Sequence, residues 1–440
     1  MTSSRIWHPF TQHALFPDSI AIDRAEGASL FTTDGREILD GISSWWVNTH
    51  GHGHPRIVKA VQEQAAKLEQ VIFAGFTHDP AEKLSAKILE RTSRTLGERL
   101  AYTFFSDSGS TAVEVALKMA IGTWAFKGQP QRKTIVALEG AYHGDTFGTM
   151  AAGARGVFTK PYESFLFDVE FLPLDDAAAA FTALLETKGD RIAAFIVEPL
   201  VQGAAGMKFY PPETLKTLHD LCRAHNVLLI ADEVMTGFGR TGTFFACEQA
   251  GISPDLMALS KGLTGGFLPM GLTLASEDIY KAFYAPDRAR TFFHSTSFTG
   301  NAIACAAALA SMEIWEEEPV QARIEAISES HEKAAVRFRN DPNVQDVRVL
   351  GSLMALEVID PAPGYLSALS PLLYDFYIKN DVLLRPIGNC VYILPPYCIT
   401  SEQLERIYDV IHRSLDHIRN ERSQPGDGSP RARVSGLPHC

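Results

Sequence analysis

The cysteines of this chain form no pattern. Cys222, Cys247, Cys305, Cys390, Cys398 and Cys440 are scattered along 440 residues, with no C-x-x-C pair among them. Neither a zinc site nor a disulfide framework is signalled, and the reduced thiols of a cytoplasmic protein are the expectation. Long apolar runs are also missing. None approaches the roughly 20 residues that a membrane-spanning helix needs, and the opening MTSSRIWHPF has no apolar core of a secretory signal. Basic charge is in deficit, with 40 Lys and Arg against 52 Asp and Glu and a formal net charge of −12. No lysine–arginine cluster reverses that balance, so neither a nucleic-acid surface nor a membrane partner is expected. No internal repeat is present. What remains is an ordinary soluble composition in a chain long enough for two or three domains.

Residues 227–261, VLLIADEVMTGFGRTGTFFACEQAGISPDLMALSK, organise the rest. Val227 to Ala231 is a short aliphatic run that reads as a buried parallel strand, and it ends on Asp232 and Glu233. A second run, Leu256 to Ser260, ends on Lys261. In open α/β sheets, chemistry gathers beyond the carboxyl ends of strands. A lysine there can form a Schiff base with an aldehyde, and a carboxylate can hold a pyridine nitrogen protonated. Singly, Asp232 is better explained as a turn cap and Lys261 as a solvated loop residue; the pair at two strand ends brings the chemical reading level with that one. The G-x-G-x-x-G match at Gly237–Gly242 fails as a dinucleotide motif. Five residues separate it from the strand, and Thr243-Phe244-Phe245 stands where a helix should open.

Three more apolar runs behave like the first two. Tyr102 to Phe105 leads into Ser106-Asp107-Ser108-Gly109-Ser110 and then TAVEVALKMAI, whose apolar residues recur at helical spacing. A small, hydroxyl-rich loop opening into a helix can bind an anion on free N–H groups, or can be a plain cap by Ser108 or Ser110. Thr134 to Leu138 ends at Glu139-Gly140-Ala141-Tyr142-His143-Gly144, and Ile192 to Val197 ends at Glu198-Pro199. Five strand ends that each deliver a polar or aromatic group predict a doubly wound α/β sheet with one site along one edge.

The flanks differ from this middle. Ser29 to Asp40 reads as a hairpin closed at Asp34-Gly35. On a strand, the adjacent Trp45 and Trp46 cannot both face one core, so at least one should line a surface or cavity. His50, His52 and His54 alternate with glycines, which favours a glycine-rich loop over a metal site. Charged helices at 317–340 and 401–419 and strands near 344–359, 382–385 and 391–394 predict a smaller α+β domain. The expected division is a β-rich segment at 1–55 packed with the small domain, a large domain at 56–315, the small domain at 316–420, and a disordered tail at 421–440.

Taken together, these residues resemble the class-III, fold-type-I pyridoxal phosphate-dependent aminotransferases. Within that class they resemble the diaminopelargonate-forming branch of biotin biosynthesis. The resemblance runs from Ile6 to about Arg419. It is carried by Trp7-His8-Pro9, DGISSWW, SDSGS, GAYHGDT, EPLVQGAAGM, ADEVMTGFGRTG, SKGLTGG, FTGN and LLRPIG. It implies a homodimer with shared active sites and pyridoxal 5'-phosphate as cofactor. Lys261 would hold the cofactor and shuttle the proton, with Asp232 on the pyridine nitrogen and Tyr142 stacked on the ring. Gly109 and Ser110 would bind the phosphate, Glu198 would line the cofactor site, and Ser295, Thr296 and Ser297 would reach into the partner's site. Phe10, Trp45, Trp46 and Tyr392 would shape the substrate channel, and Arg385 would pair with a substrate carboxylate. The reaction implied is amino transfer to 8-amino-7-oxononanoate, giving 7,8-diaminononanoate, with S-adenosylmethionine as donor. Two departures stand out. Ser295-Thr296-Ser297 replaces the family's frequent Gly-Pro-Thr. Phe10 stands where many members have Tyr, as it does in members that use lysine as donor. Another class-III enzyme acting on ω-amino acids is the alternative reading.

Overall fold

The computed structural model describes residues 5–16 and 19–423; most of the tail expected to be disordered, 424–440 with Cys440, lies outside the described residues. A seven-stranded sheet forms the centre. From one edge its order is Leu100–Ser106, Gly271–Ser276, Leu256–Leu259, Leu228–Asp232, Ile192–Val197, Thr134–Leu138 and Val169–Leu172. Every pairing is parallel except those of Gly271–Ser276, which runs antiparallel to both neighbours.

The strands are apolar throughout because both faces are covered. Alternate residues go to opposite cores, as the two-residue period of a strand requires. Ile135, Ala137, Ile196 and Ile230 pack with Val113 and Ala116 of the helix Gly109–Phe126, whereas Val136, Leu138, Phe195 and Leu229 join Phe181 and Leu218 on the other side. Thr134–Leu138 and Ile192–Val197 occupy the bounds read from the sequence. Gly271–Ser276 and Val169–Leu172 were not anticipated. The first follows a glycine-rich loop, and the second is only four residues long.

Two smaller sheets flank this one. Ile22–Glu26, Ser29–Thr32 and Glu37–Asp40 form an antiparallel sheet, extended in parallel by Val382–Leu383 from the far end of the chain. Val344–Leu350, Leu353–Val358 and Cys390–Ile393 form a second antiparallel sheet. Trp45 and Trp46 are not on a strand. They belong to one tight turn, Ser43–Trp46, in which Ser43, Ser44 and Trp46 all have positive φ. The turn still sends the two rings apart, with Trp46 6% exposed and Trp45 39% exposed.

Arg240 locks this turn to the rest. Its side chain is fully buried and donates to the carbonyls of Trp46 (3.2 Å), Asn48 (3.0 Å) and Pro395 (3.0 Å). The GFGRTG loop is therefore a packing junction. Its own Arg240 carbonyl accepts from the N–H and hydroxyl of Ser352, at the hairpin turn of the second flanking sheet. Gly351 makes that contact possible. It has φ +59°, and a Cβ there would lie 2.1 Å from Gly242 N. Gly351→Ala should therefore destabilise the protein by about 2 kcal/mol or more, read as a lower urea midpoint with an unchanged slope.

Candidate active site

Beyond the carboxyl ends of the central strands lies a cavity of about 150 Å³. Asp232 closes the strand Leu228–Asp232. Lys261 follows the strand Leu256–Leu259 and opens a short 3-10 turn with φ 44°. Both line the cavity, so the sheet register brings together the acid and the amine that the sequence placed at two strand ends. Lys261 is half-buried at the cavity wall. Burial pulls its ammonium below the ordinary lysine range. Asp232 and Glu198 oppose that shift, and Arg240 adds to it.

The helix Gly109–Phe126 points its N-terminus at the same cavity. Ser108 is the cap. Its Oγ accepts from Thr111 N–H at 3.2 Å, and the Thr111 hydroxyl accepts from Ser108 N–H at 2.9 Å. The cap thus spends Thr111 N–H, while Gly109 and Ser110, which line the cavity, carry first-turn N–H groups without a helical acceptor. The cap reading holds at Ser108, and it leaves the two N–H groups of the anion reading free of helical acceptors. Gly109 has to be glycine, because a Cβ would stand 2.7 Å from Val234 Cγ1.

The remaining walls come from the neighbouring strands. Tyr142 lines the cavity, and its N–H donates to Glu198 Oε1 at 3.0 Å. Glu198 Oε2 accepts from Gly203 N–H at 2.9 Å. Burial pushes the Glu198 carboxyl up to about 7. His143 and the two backbone N–H groups oppose this, and Asp232 reinforces it. His143 was given no role in the sequence reading. Its Nδ1–H donates to Asp232 Oδ2 at 2.7 Å, and the other carboxylate oxygen accepts from Val234 N–H at 3.1 Å. The signal was its place directly after Tyr142, beyond a strand end.

Other expected residues stand around the cavity rather than in it. Trp46 lines it, with its ring centroid 5.3 Å from Lys261 Nζ and its indole N–H donating to the Tyr392 hydroxyl at 2.9 Å. Trp45 lies farther out, its ring 5.2 Å from the Arg385 guanidinium and 5.4 Å from the Phe10 ring. Arg385 also donates to the Phe10 carbonyl at 2.9 Å. Ser295, Thr296 and Ser297 do not line the cavity of their own chain. Thr296 donates to Asp107 at 2.8 Å, and Ser295 and Ser297 are exposed. His50, His52 and His54 go to three separate partners: Ser311, Asp40 and Glu318.

Residues 12–415 match the family model for class-III aminotransferases. The chain belongs to that family. It is 47% identical to the adenosylmethionine-8-amino-7-oxononanoate aminotransferase of Synechococcus elongatus, over 94% of this chain and 99% of the relative. Among solved structures, the enzyme so named from Methanocaldococcus jannaschii superposes with a TM-score of 0.89 at 30% identity, covering 94% of this chain and 97% of that one. An amine transaminase from an uncultivated Pseudomonas species, in its PLP-bound form, superposes at 0.88 with 28% identity, over 94% and 99% of the two chains. The protein is thus a pyridoxal phosphate-dependent aminotransferase.

The cavity fits that cofactor. It offers an amine to an aldehyde, a carboxylate to a ring nitrogen and helix N–H groups to a phosphate. His143 Nε2 adds a buried polar atom with no protein partner at the cavity wall. In protein freed of cofactor, Glu198 should titrate near pH 7. Because its folded pKa is raised, the stability it contributes is fully present below its ordinary carboxylate range and is lost as pH rises through about 7. Difference infrared spectroscopy of the carboxyl band, with Glu198→Gln as reference, reads this directly; titration in the ordinary range would contradict it.

Proposed function

We propose that this aminotransferase moves an amino group onto 8-amino-7-oxononanoate to give 7,8-diaminononanoate, the diamine step of biotin biosynthesis. We also propose that it does so as a cytoplasmic homodimer with S-adenosylmethionine as donor. The observation that carries the choice of acceptor is the Trp45–Trp46 turn. It sets one indole beside the Lys261 amine and the other against the Arg385 guanidinium. An apolar wall thus runs between the reacting nitrogen and a carboxylate-binding cation, which suits a long-chain keto acid. The names of the relatives from Synechococcus elongatus and Methanocaldococcus jannaschii support the same reading.

Pyridoxal phosphate, when bound, supplies the electron sink that makes a proton on the amine-bearing carbon removable. Lys261 Nζ would hold its aldehyde carbon, Asp232 its ring nitrogen, Tyr142 its ring face, and the N–H groups of Gly109 and Ser110 its phosphate. Asp232 is aimed by His143 and by Val234 N–H, so its orientation is fixed before any ligand arrives. Lys261 Nζ, biased by burial toward the neutral amine, takes and returns the proton at the substrate carbon. Trp46 and Tyr392 exclude water beside that amine and are held to each other by their own hydrogen bond. Arg385 takes the substrate carboxylate with a planar fork. The exposed 295–297 segment reaches the phosphate of the second subunit, which makes the dimer part of the site.

One observation favours lysine as a second reading for the donor. Phe10 has no hydroxyl, and its ring packs edge-on against Trp45 and Phe158. Mixing the holoenzyme separately with adenosylmethionine and with lysine decides between them. Loss of the cofactor's resting absorption band with adenosylmethionine supports the first donor, and loss with lysine alone makes Phe10 a donor-selecting residue. Reaction with neither, together with turnover of an ω-amino acid, overturns the biotin assignment. Lys261→Ala should lose that resting band and nearly all turnover. Arg385→Ala should raise KM for the oxononanoate roughly tenfold or more, the loss expected for one charged hydrogen-bonded contact, with only partial recovery in Arg385→Lys.

A further inference from the structure

Across Tyr142 from the Lys261 cavity lies a second chamber of about 360 Å³; Tyr142 and Gly144 line both. One stretch of this chamber's wall is formed by small residues, among them Gly140, Gly153, Ala154, Ala204, Ala205 and Gly206, and longer side chains such as Arg155, Lys208 and Glu357 line it elsewhere. Along that small-residue stretch there is no side chain to yield or to truncate, so large residues elsewhere on the wall set the width. Two of these are rings on loops, Phe158 and Tyr365, packed edge to face at 4.4 Å and 71°.

Phe158 has a second surface. An outer recess, again about 360 Å³, is lined by Phe10, Asp145, Phe147, Met150, Phe158 and Tyr162. Only Asp145, Met150 and Phe158 line both the chamber and the recess, so they form the partition between the two. Asp145 is pinned by its N–H to Ser110 Oγ at 3.2 Å, and Met150 belongs to the helix Phe147–Ala152. Phe158 is the partition's one aromatic member. It projects from a tight turn closed by Gly156 N–H to Thr159 Oγ1 at 2.9 Å and by Thr159 N–H to the Gly156 carbonyl at 3.1 Å. Its ring also meets Phe10 at 5.9 Å, which ties the partition to the N-terminal segment that Arg385 holds.

We propose that Phe158 is a specificity-determining residue. Its ring, backed by Tyr365, separates the inner chamber from the outer recess and so limits the bulk that an amine or ketone substrate carries beyond its reacting centre. Compact, unbranched chains are the class admitted, and fused aromatic groups are the class excluded. Removal of the ring joins two spaces of similar size, whereas enlargement of it narrows the inner one. A pocket discriminates by the groups it cannot accommodate as well as by those it contacts.

The test uses holoenzyme and two hydrazines, methylhydrazine and 2-naphthylhydrazine, whose reaction with the bound cofactor is followed by the change in its absorption band. The ratio of second-order rate constants, naphthyl over methyl, should rise at least tenfold in Phe158→Ala, rise less in Tyr365→Ala, and fall in Phe158→Trp. A ratio within twofold of wild type in both Phe158→Ala and Phe158→Trp, with thermal midpoint and cofactor band retained, overturns the proposal. If Phe158→Ala does not retain its fold, Phe158→Leu carries the same test with at least a threefold rise expected. Hydrazines react with the cofactor whatever the natural acceptor, so failure of the oxononanoate assignment leaves this result intact.

Discussion

A guanidinium buried away from water is costly unless its N–H groups find acceptors, and Arg240 places Nη1 and Nη2 on main-chain carbonyls, while its Nε finds no partner among the described residues. Among the described residues no carboxylate makes an ion pair with it. Carbonyls cannot follow a side chain as it moves, so two backbone segments are held to one planar fork. The turn at 43–48 supplies two carbonyls and Pro395 the third. Because Trp46 sits in that turn with a left-handed backbone, the grip on its carbonyl also fixes where its indole lies relative to Lys261. The same arginine adds to the depression of the Lys261 pKa. A residue outside the cavity lining thereby holds the Trp46 wall and adds to a shift that burial dominates.

The glycines around this junction work in the same direction. Gly351 lets the hairpin of the second flanking sheet close on Gly242. Gly266, with φ +89°, lies where a Cβ would be 2.8 Å from Asn48 Cα, so the loop after Lys261 packs directly on the Trp46–Asn48 turn. Backbone meets backbone on two sides of Arg240. Such contacts are short and stiff, and they carry the strand-end geometry outward to the substrate wall without relying on flexible side chains.

What the sequence revealed follows from how local each signal is. Buried parallel strands are continuous apolar runs, so Thr134–Leu138 and Ile192–Val197 were legible to the residue, and their ends led to Tyr142 and Glu198. Lys261 and Asp232 were legible because sheet register makes neighbours of residues at neighbouring strand ends. The antiparallel Gly271–Ser276 strand left no such mark, since its six residues are indistinguishable from another buried run and direction is not written in composition. The Trp45–Trp46 turn was misplaced on a strand because its positive φ values at Ser43, Ser44 and Trp46 accompany a local hydrogen bond from Ser44 N–H to Asp40 and a distant one from Arg240 to the Trp46 carbonyl, neither of which a propensity reading registers. The Phe158–Tyr365 pair joins residues from distant loops and has no local signature at all.

The chemistry of the cavity follows from one cause acting on two groups. Withdrawal from water penalises whichever form is charged, so it pulls the Lys261 ammonium down and pushes the Glu198 carboxyl up to about 7. Both shifts move toward a neutral amine beside a neutral acid. The amine gains the lone pair it needs to act on a carbonyl or to accept a proton. Asp232 is held differently, with one oxygen bonded to His143 and the other to a backbone N–H. Two acids within one cavity are thus given separate tasks by their partners. Glu198 anchors the Tyr142 and Gly203 backbone, and Asp232 is aimed inward. The position of each acid at its strand end was legible from sequence, but the division of labour between them arises only from the hydrogen bonds the fold supplies.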